Sequence, residues 1–296
     1  MAQVSPLNQD LTEPFLELIR LASTDLRPGI EGALEKARNT EEEGSAARNA
    51  LEVILDNIRL ARRKSTPICQ DTGTPLFYIN HPFGWSTARL EEEAGAAAAE
   101  ATRRAFLRPN AVDPLTGRNS GDNRGPHFPL VHCREWDRPE LEATLLLKGG
   151  GCENCGIQYT LPDASLSAGR DLEGVRKCVL DAALRAQGYG CAPGILGVGV
   201  GGDRASSMDE AKTQLLRPLD DVSPVEDLGR LEGELLEQVN RLGIGPMGFG
   251  GRTTAIGVKL GVRPRLPACY FVSVAYLCWA ARLRRMTYKE GEVDYD

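Results

Sequence analysis

The sequence predicts a mixed α+β fold: a helical N-terminal layer, then a region of alternating strands and helices, in one large domain over residues 1–296. Three observations carry this expectation. The first hundred residues are rich in Ala, Glu and Leu at helical spacing. After residue 108, short apolar runs bordered by glycine alternate with amphipathic stretches. No repeat, linker or low-complexity stretch divides the 296 residues, a length that is long for one ordinary domain and short for two.

Taken in order, Leu11-Thr12-Glu13-Pro14 opens a helix. Phe15, Ile19 and Leu21 form its apolar face, and Pro28-Gly29 reads as its stop. Ile30 to Arg63 continues as helix and closes on the basic Arg62-Arg63-Lys64, which suits a helix C-terminus. Arg89 to Leu107 is another helix. Leu141–Leu147, Gly194–Val200 and Thr254–Leu260 read as strands. Between and after them, Leu172–Gln187, Ser207–Leu216 and Glu226–Leu242 read as helices, the last with Leu228, Leu231, Leu235, Val239 and Leu242 on one face.

Composition narrows the function classes. Thirty-five basic against forty-one acidic residues give a net charge of −6, with no basic stretch dense enough to follow a phosphate backbone, so nucleic acid is not the expected partner. No run approaches the ~20 apolar residues of a membrane helix. Residues 1–10 lack the basic and apolar regions of a signal peptide. The eight cysteines are therefore expected in a reducing cytoplasm, as buried, metal-binding or catalytic thiols. With only three histidines, a histidine-rich metal site is not expected.

Thirty-two glycines exceed the usual ~7% share, and they cluster. The chemistry-bearing segments are five, four of them dense in glycine; they are Cys69-Gln-Asp-Thr-Gly-Thr74, Asn119-Ser-Gly-Asp-Asn123, Lys148-Gly-Gly-Gly-Cys-Glu-Asn154, Gly190-Cys-Ala-Pro-Gly194 and Gly248-Phe-Gly-Gly-Arg-Thr-Thr254. Permissive backbone beside short polar side chains suits a pocket lined by main-chain donors. None has the spacing of a nucleotide loop, and Gly197-Val-Gly-Val-Gly-Gly202 reads better as a tightly packed strand end. Cys152-Glu-Asn-Cys155 is formally a C-x-x-C, but it lacks the second pair of a zinc ribbon. Cys133 and Cys178 read as small buried hydrophobes, whereas Cys69, Cys191 and Cys278 stand at loop or element ends.

Those segments, in this order and at these separations, resemble the α part of class I fumarases and L-tartrate dehydratases, the iron–sulfur hydro-lyases. The signatures are Ile68-Cys-Gln-Asp-Thr-Gly-Thr-Pro75, Leu107-Arg-Pro-Asn-Ala111, Asn119-Ser-Gly-Asp-Asn123, Lys148-Gly-Gly-Gly151, Cys191-Ala-Pro-Gly194, Asn240-Arg-Leu-Gly-Ile-Gly-Pro-Met-Gly-Phe-Gly-Gly-Arg-Thr-Thr254 and Cys278-Trp-Ala-Ala-Arg282. The likeness runs over nearly the whole chain.

The resemblance implies a subunit that reversibly dehydrates a small 2-hydroxy dicarboxylate of the malate or tartrate type. It implies a [4Fe–4S] cluster held through Cys69, Cys191 and Cys278, with Cys269 a rival for the third place. Three ligands leave one iron open as a Lewis acid. It gives Asp71 the role of acid, and Gln70, Arg108 and the main-chain amides of Gly150 and Gly151 the binding of substrate carboxylates. It further implies a separate β subunit carrying the proton-abstracting base, in an α2β2 assembly. Two departures stand out: Leu266-Pro267 where the family usually has His-Pro, and Cys152 where fumarases commonly have serine. They keep two alternatives in view, the same scaffold with a divergent substrate or elimination chemistry, and a non-catalytic assembly protein.

Overall fold

Helices and mixed sheets together make the α+β class expected from the sequence. The computed structural model describes residues 9–296. In chain order the elements are α1 (Thr12–Thr24), α2 (Pro28–Thr40), α3 (Ala46–Lys64), β1 (Thr74–Pro82), α4 (Thr87–Arg103), β2 (Leu130–Trp136), β3 (Leu141–Lys148), α5 (Gly150–Asn154) and β4 (Ile157–Thr160). There follow α6 (Leu172–Ala186), β5 (Gly194–Gly201), α7 (Arg204–Gln214), α8 (Glu226–Arg241), a 3-10 turn at Pro246–Gly248, β6 (Ala255–Arg263), β7 (Phe271–Leu277), β8 (Leu283–Lys289) and β9 (Glu292–Tyr295). They form two compact units. One comprises the residues up to Arg27 with Asn57–Gly149 and Arg282–Asp296; the other comprises Pro28–Asp56 and Gly150–Ala281.

The first unit is a five-stranded sheet in the order β2-β1-β3-β8-β9 with α1 and α4. β1 runs parallel to β2 and antiparallel to β3, with Thr74 opposite Lys148. β3 pairs antiparallel with β8, placing Leu146 opposite Leu283. Asp10 accepts the Thr12 N–H at 2.7 Å where α1 begins, satisfying one of the helix's free N-terminal donors. Phe15 and Ile19 are fully buried, and Phe15 meets Phe77 of β1 edge-to-face with ring centroids 5.6 Å apart. Burying a side chain like Phe15 is worth about 2–3 kcal/mol. Ala94, Ala97, Ala98 and Ala101 of α4 are fully buried, and their small size lets that helix lie close to α1.

The second unit holds a four-stranded sheet, β4-β7-β5-β6, with β5 parallel to β6 and antiparallel to β7. Its core gathers Val175, Val179, Leu196, Val198, Leu235, Val239, Leu260 and Val274. A β-carbon on Gly197 or Gly199 would strike the main-chain carbonyl of Ala211 or Ser207 in α7. Glycine in β5 therefore serves close helix–sheet packing. On β6, the Leu260 N–H donates to Glu232 of α8 at 2.7 Å. Asn240 accepts the N–H groups of Thr254 and Ala255 at 2.7 and 2.9 Å.

The structure differs from expectation at three places in the N-terminal region. α1 ends at Thr24, and Pro28 opens α2 instead of stopping α1; proline is pre-organised for a first helical position. The helical run over residues 30–63 is broken between Thr40 and Ala46, where Gly44 has a φ of 75°. β1 also interrupts the first hundred residues, which read as mostly helical, because its Leu-Phe-Tyr-Ile run has the strand's preference for aromatic and β-branched residues.

Candidate active site

In the first unit, Cys69, Gln70 and Asp71 lie in the loop between α3 and β1. The loop is tied down just before them: the Ile68 N–H donates to the Ser23 carbonyl at 2.9 Å, and Asn57 Nδ2 donates to the Ile68 carbonyl at 2.8 Å. Cys69 is half-buried, while Gln70 and Asp71 are exposed. Asp71 Oδ1 accepts the Gly73 N–H at 3.0 Å, a local turn that orients the carboxylate. Gly73 has a φ of 78°, and a β-carbon there would come within 2.8 Å of the Lys148 carbonyl carbon. Only glycine satisfies both conditions.

Arg108 joins this loop. Its N–H donates to Thr72 Oγ1 at 2.9 Å, and its guanidinium reaches the Gln70 carbonyl at 3.4 Å, with the side chain otherwise exposed. Asn110 Nδ2 donates to Thr72 Oγ1 and to the Gly73 carbonyl at 3.2 and 3.1 Å. Asn123 holds the segment from beneath. Its Oδ1 accepts the N–H groups of Asn110 and Ala111 at 2.7 and 3.2 Å, and its Nδ2 donates to the Arg108 carbonyl at 2.7 Å. It does so from a left-handed φ of 59° that asparagine tolerates better than most residues. Gln70, Asp71 and Arg108, nominated separately from sequence, thus share one loop cluster. Asn110, Asn123 and Arg282 lie inside segments already singled out, yet nothing in the sequence assigns them a role.

In the second unit, Cys191 sits between Gly190 and Gly194 with a φ of 54°. A β-carbon on either glycine would collide with the ring of Tyr276, so the strap Gly190-Cys-Ala-Pro-Gly194 can pass over that ring only with glycine at both ends. The Trp279 N–H donates to the Cys191 carbonyl at 3.3 Å, which links the strap to the segment carrying the buried Cys278. The Met247 N–H donates to the Ala192 carbonyl at 2.8 Å, so the glycine-rich run from residue 243 to 251 backs the same strap. Tyr276 is buried and its hydroxyl has no partner among the described residues. Burial first, then the nearby Cys278, Cys152, Cys155 and Cys191, push its phenol well above the usual tyrosine range. No sequence signal pointed to Tyr276.

Cys269 is absent from that neighbourhood. It lines a separate surface cavity of about 420 Å³ with Gly202, Asp203, Ser206 and Leu266. Gly150 and Gly151 open α5 and are exposed. All eight cysteines are free thiols. Among the described residues, no three Cys, His, Asp or Glu side chains are grouped closely enough to hold one metal ion. No helix among the described residues is long and apolar enough to cross a membrane.

Comparison with known proteins completes the picture. A Geobacillus stearothermophilus protein, whose name places it with class I fumarate hydratases, is 48% identical over 93% of this chain and 54% of its own length. This chain therefore spans about half of that relative. A Methanocaldococcus jannaschii protein named for the α subunit of L(+)-tartrate dehydratase is 32% identical over 92% of this chain and 95% of its own. The L(+)-tartrate dehydratase subunit alpha of Escherichia coli K12 is 30% identical over 92% and 88%. The family profile described as fumarate hydratase (fumerase) matches residues 12–287, a span that takes in Cys69, Asp71, Arg108, Cys191 and Cys278 together, and this chain belongs to that family.

Proposed function

We propose that this chain is the cluster-bearing α part of a hydro-lyase that reversibly removes water from a small 2-hydroxy dicarboxylate of the malate/fumarate or tartrate/oxaloacetate type. The observation that carries the reading is the gathering of Asp71, Gln70 and Arg108 into one loop cluster, within a chain of this family.

Cys69, Cys191 and Cys278 are the thiolates we assign to a [4Fe–4S] cluster. The fit is supported by the link between the Cys191 strap and the Cys278 segment, and by the buried Tyr276, whose ring lies against the strap and whose hydroxyl has no partner among the described residues. When bound with three protein ligands, the cluster supplies an open, Lewis-acidic iron for the departing hydroxyl. The chain's own groups do the rest. Arg108, whose planar fork takes two carboxylate oxygens at once, and Gln70 hold the substrate carboxylates. The main-chain amides of Gly150 and Gly151, at the start of α5, are the donors we assign to complete that binding. Asp71 returns a proton to the hydroxyl as it leaves as water, and takes it back in hydration. The base that removes the carbon-bound proton comes from a separate β subunit, in an α2β2 cytoplasmic assembly that takes neither nucleic acid nor membrane as partner.

The test is anaerobic reconstitution with iron and sulfide counting, followed by a panel of hydroxy dicarboxylates read as alkene absorbance with the β partner present. Iron and sulfide near four each per chain, with turnover of at least one substrate, is the expected result. A reconstituted complex that turns over none of the panel would sink the activity, and a chain that retains no iron would sink the cofactor.

A further inference from the structure

Arg282 has no place in the chemistry above, yet its guanidinium is among the largest fully buried side chains of the protein. A charge taken out of water at that depth is costly unless it is held by well-aimed partners. Its Nη1 donates to the main-chain carbonyl of Asp71, and its Nε has no partner among the described residues. Its Nη2 faces Gly149. A β-carbon on Gly149 would lie 3.3 Å from Arg282 Nη2 and 2.9 Å from Asp71 Oδ2, so the guanidinium and the carboxylate converge on the one position that lacks a side chain.

The Asp71 carboxylate is thereby fixed on several sides. Oδ1 is taken by the Gly73 N–H, Oδ2 lies against the bare α-carbon of Gly149, and the residue's own carbonyl is anchored by Arg282. Residues from three distant stretches of sequence, all in the five-stranded unit, converge to hold one side chain in one direction.

We infer that Arg282, with Gly149, is a positioning residue that sets the aim of the Asp71 carboxylate. Arg282 does not touch substrate; it acts through Asp71. The catalytic half of this inference rests on the proton-transfer role given to Asp71 above. The structural half does not.

The experiment uses the full chain in three variants, Arg282→Lys, Arg282→Met and Gly149→Ala, with two readouts. The first is hydrogen–deuterium exchange. Loss of the anchor in Arg282→Met should speed exchange of the Gly73 amide, read in a peptide spanning residues 68–75, roughly tenfold, with peptides from α1 and α4 unchanged. Arg282→Lys keeps a donor for the carbonyl but not the planar fork, so it should fall between wild type and Arg282→Met. The second readout is steady-state kinetics in the assembled holoenzyme. A misaimed proton donor should lower kcat about 100-fold with KM little changed, and Gly149→Ala should do the same with the guanidinium still present.

Unchanged exchange at residues 68–75 would overturn the inference. So would a uniform rise across the whole five-stranded unit, which is the mark of a merely structural arginine. Should Arg282→Met fail to fold, Gly149→Ala decides the question alone. If wild-type holoenzyme turns over no hydroxy dicarboxylate, the proposed activity fails, while the exchange result still judges Arg282.

Discussion

Glu41 accepts the main-chain N–H of Thr253 at 2.8 Å, although 211 residues of sequence lie between them. The same buried carboxylate takes the Arg252 N–H with both oxygens, at 3.0 and 2.9 Å. Gly251, with a φ of 125°, leaves the room, since a β-carbon there would meet Glu41 Oε2 at 2.7 Å. One side chain from beyond the end of α2 thus closes the glycine-rich run whose Met247 N–H holds the Cys191 strap.

Glu41→Gln tests this anchor. It replaces one acceptor oxygen with an NH2 group facing N–H donors, so it should cost about 2 kcal/mol. Chemical denaturation of the full chain would read the loss. Glu41→Asp, one methylene short, should also be destabilised, and wild-type stability in both variants would refute the anchoring role.

Serine substitutions separate the cysteines by iron content. Cys69→Ser, Cys191→Ser and Cys278→Ser should each lose most of the iron retained after anaerobic reconstitution. Cys269→Ser should retain it, because that thiol lies in a separate cavity with Asp203 and Leu266. Iron-free Cys269→Ser beside iron-replete Cys278→Ser would reverse the assignment.

Cys178 should shape the alkaline limb of stability. Burial, then Asp163 and Asp181, push its thiol from the usual 9.0 up to about 12. The unfolded chain releases this proton first, so the folded state holds more protons between those two pH values. Stability from this group is therefore whole below pH 9.0 and is lost as pH rises toward about 12. Cys178→Ala should flatten that fall, as measured by urea midpoints at a series of pH values; equal slopes in the two proteins would exclude the effect. Being completely buried, Cys178 should also resist thiol reagents in the native state.

Leu266 is 71% exposed, and its carbonyl accepts from Arg265 Nη1 at 3.1 Å and from the Cys269 N–H at 3.0 Å. Leu266→His should leave stability within about 0.5 kcal/mol of wild type while altering the relative kcat/KM values across the hydroxy-acid panel. An identical substrate profile would show that this position takes no part in selection.

Much of the fold was legible because helix and strand periodicity is local. α6, α8, β3, β5 and β6 all fall where apolar spacing and glycine punctuation put them. The family was legible for a related reason. A loop such as Cys69-Gln-Asp-Thr-Gly must combine a turn, a close approach and polar side chains within a few positions, and few sequences do so. What stayed hidden depended on distance along the chain. β8 returns to pair with β3 in the first unit after Gly150–Ala281 has built a second one, and strand pairing leaves no mark in local composition. The partners of glycines were equally silent: Gly149 reads as a flexible residue until Asp71 and Arg282 are seen converging on it, and Gly190 and Gly194 until the Tyr276 ring lies against them. Glu41 reads as one acid in an acidic helix end, and only folding delivers the two amides that make it an anchor. Periodicity and turn chemistry act between neighbours, whereas the filling of space around a carboxylate or a thiol is settled by residues that meet only in three dimensions.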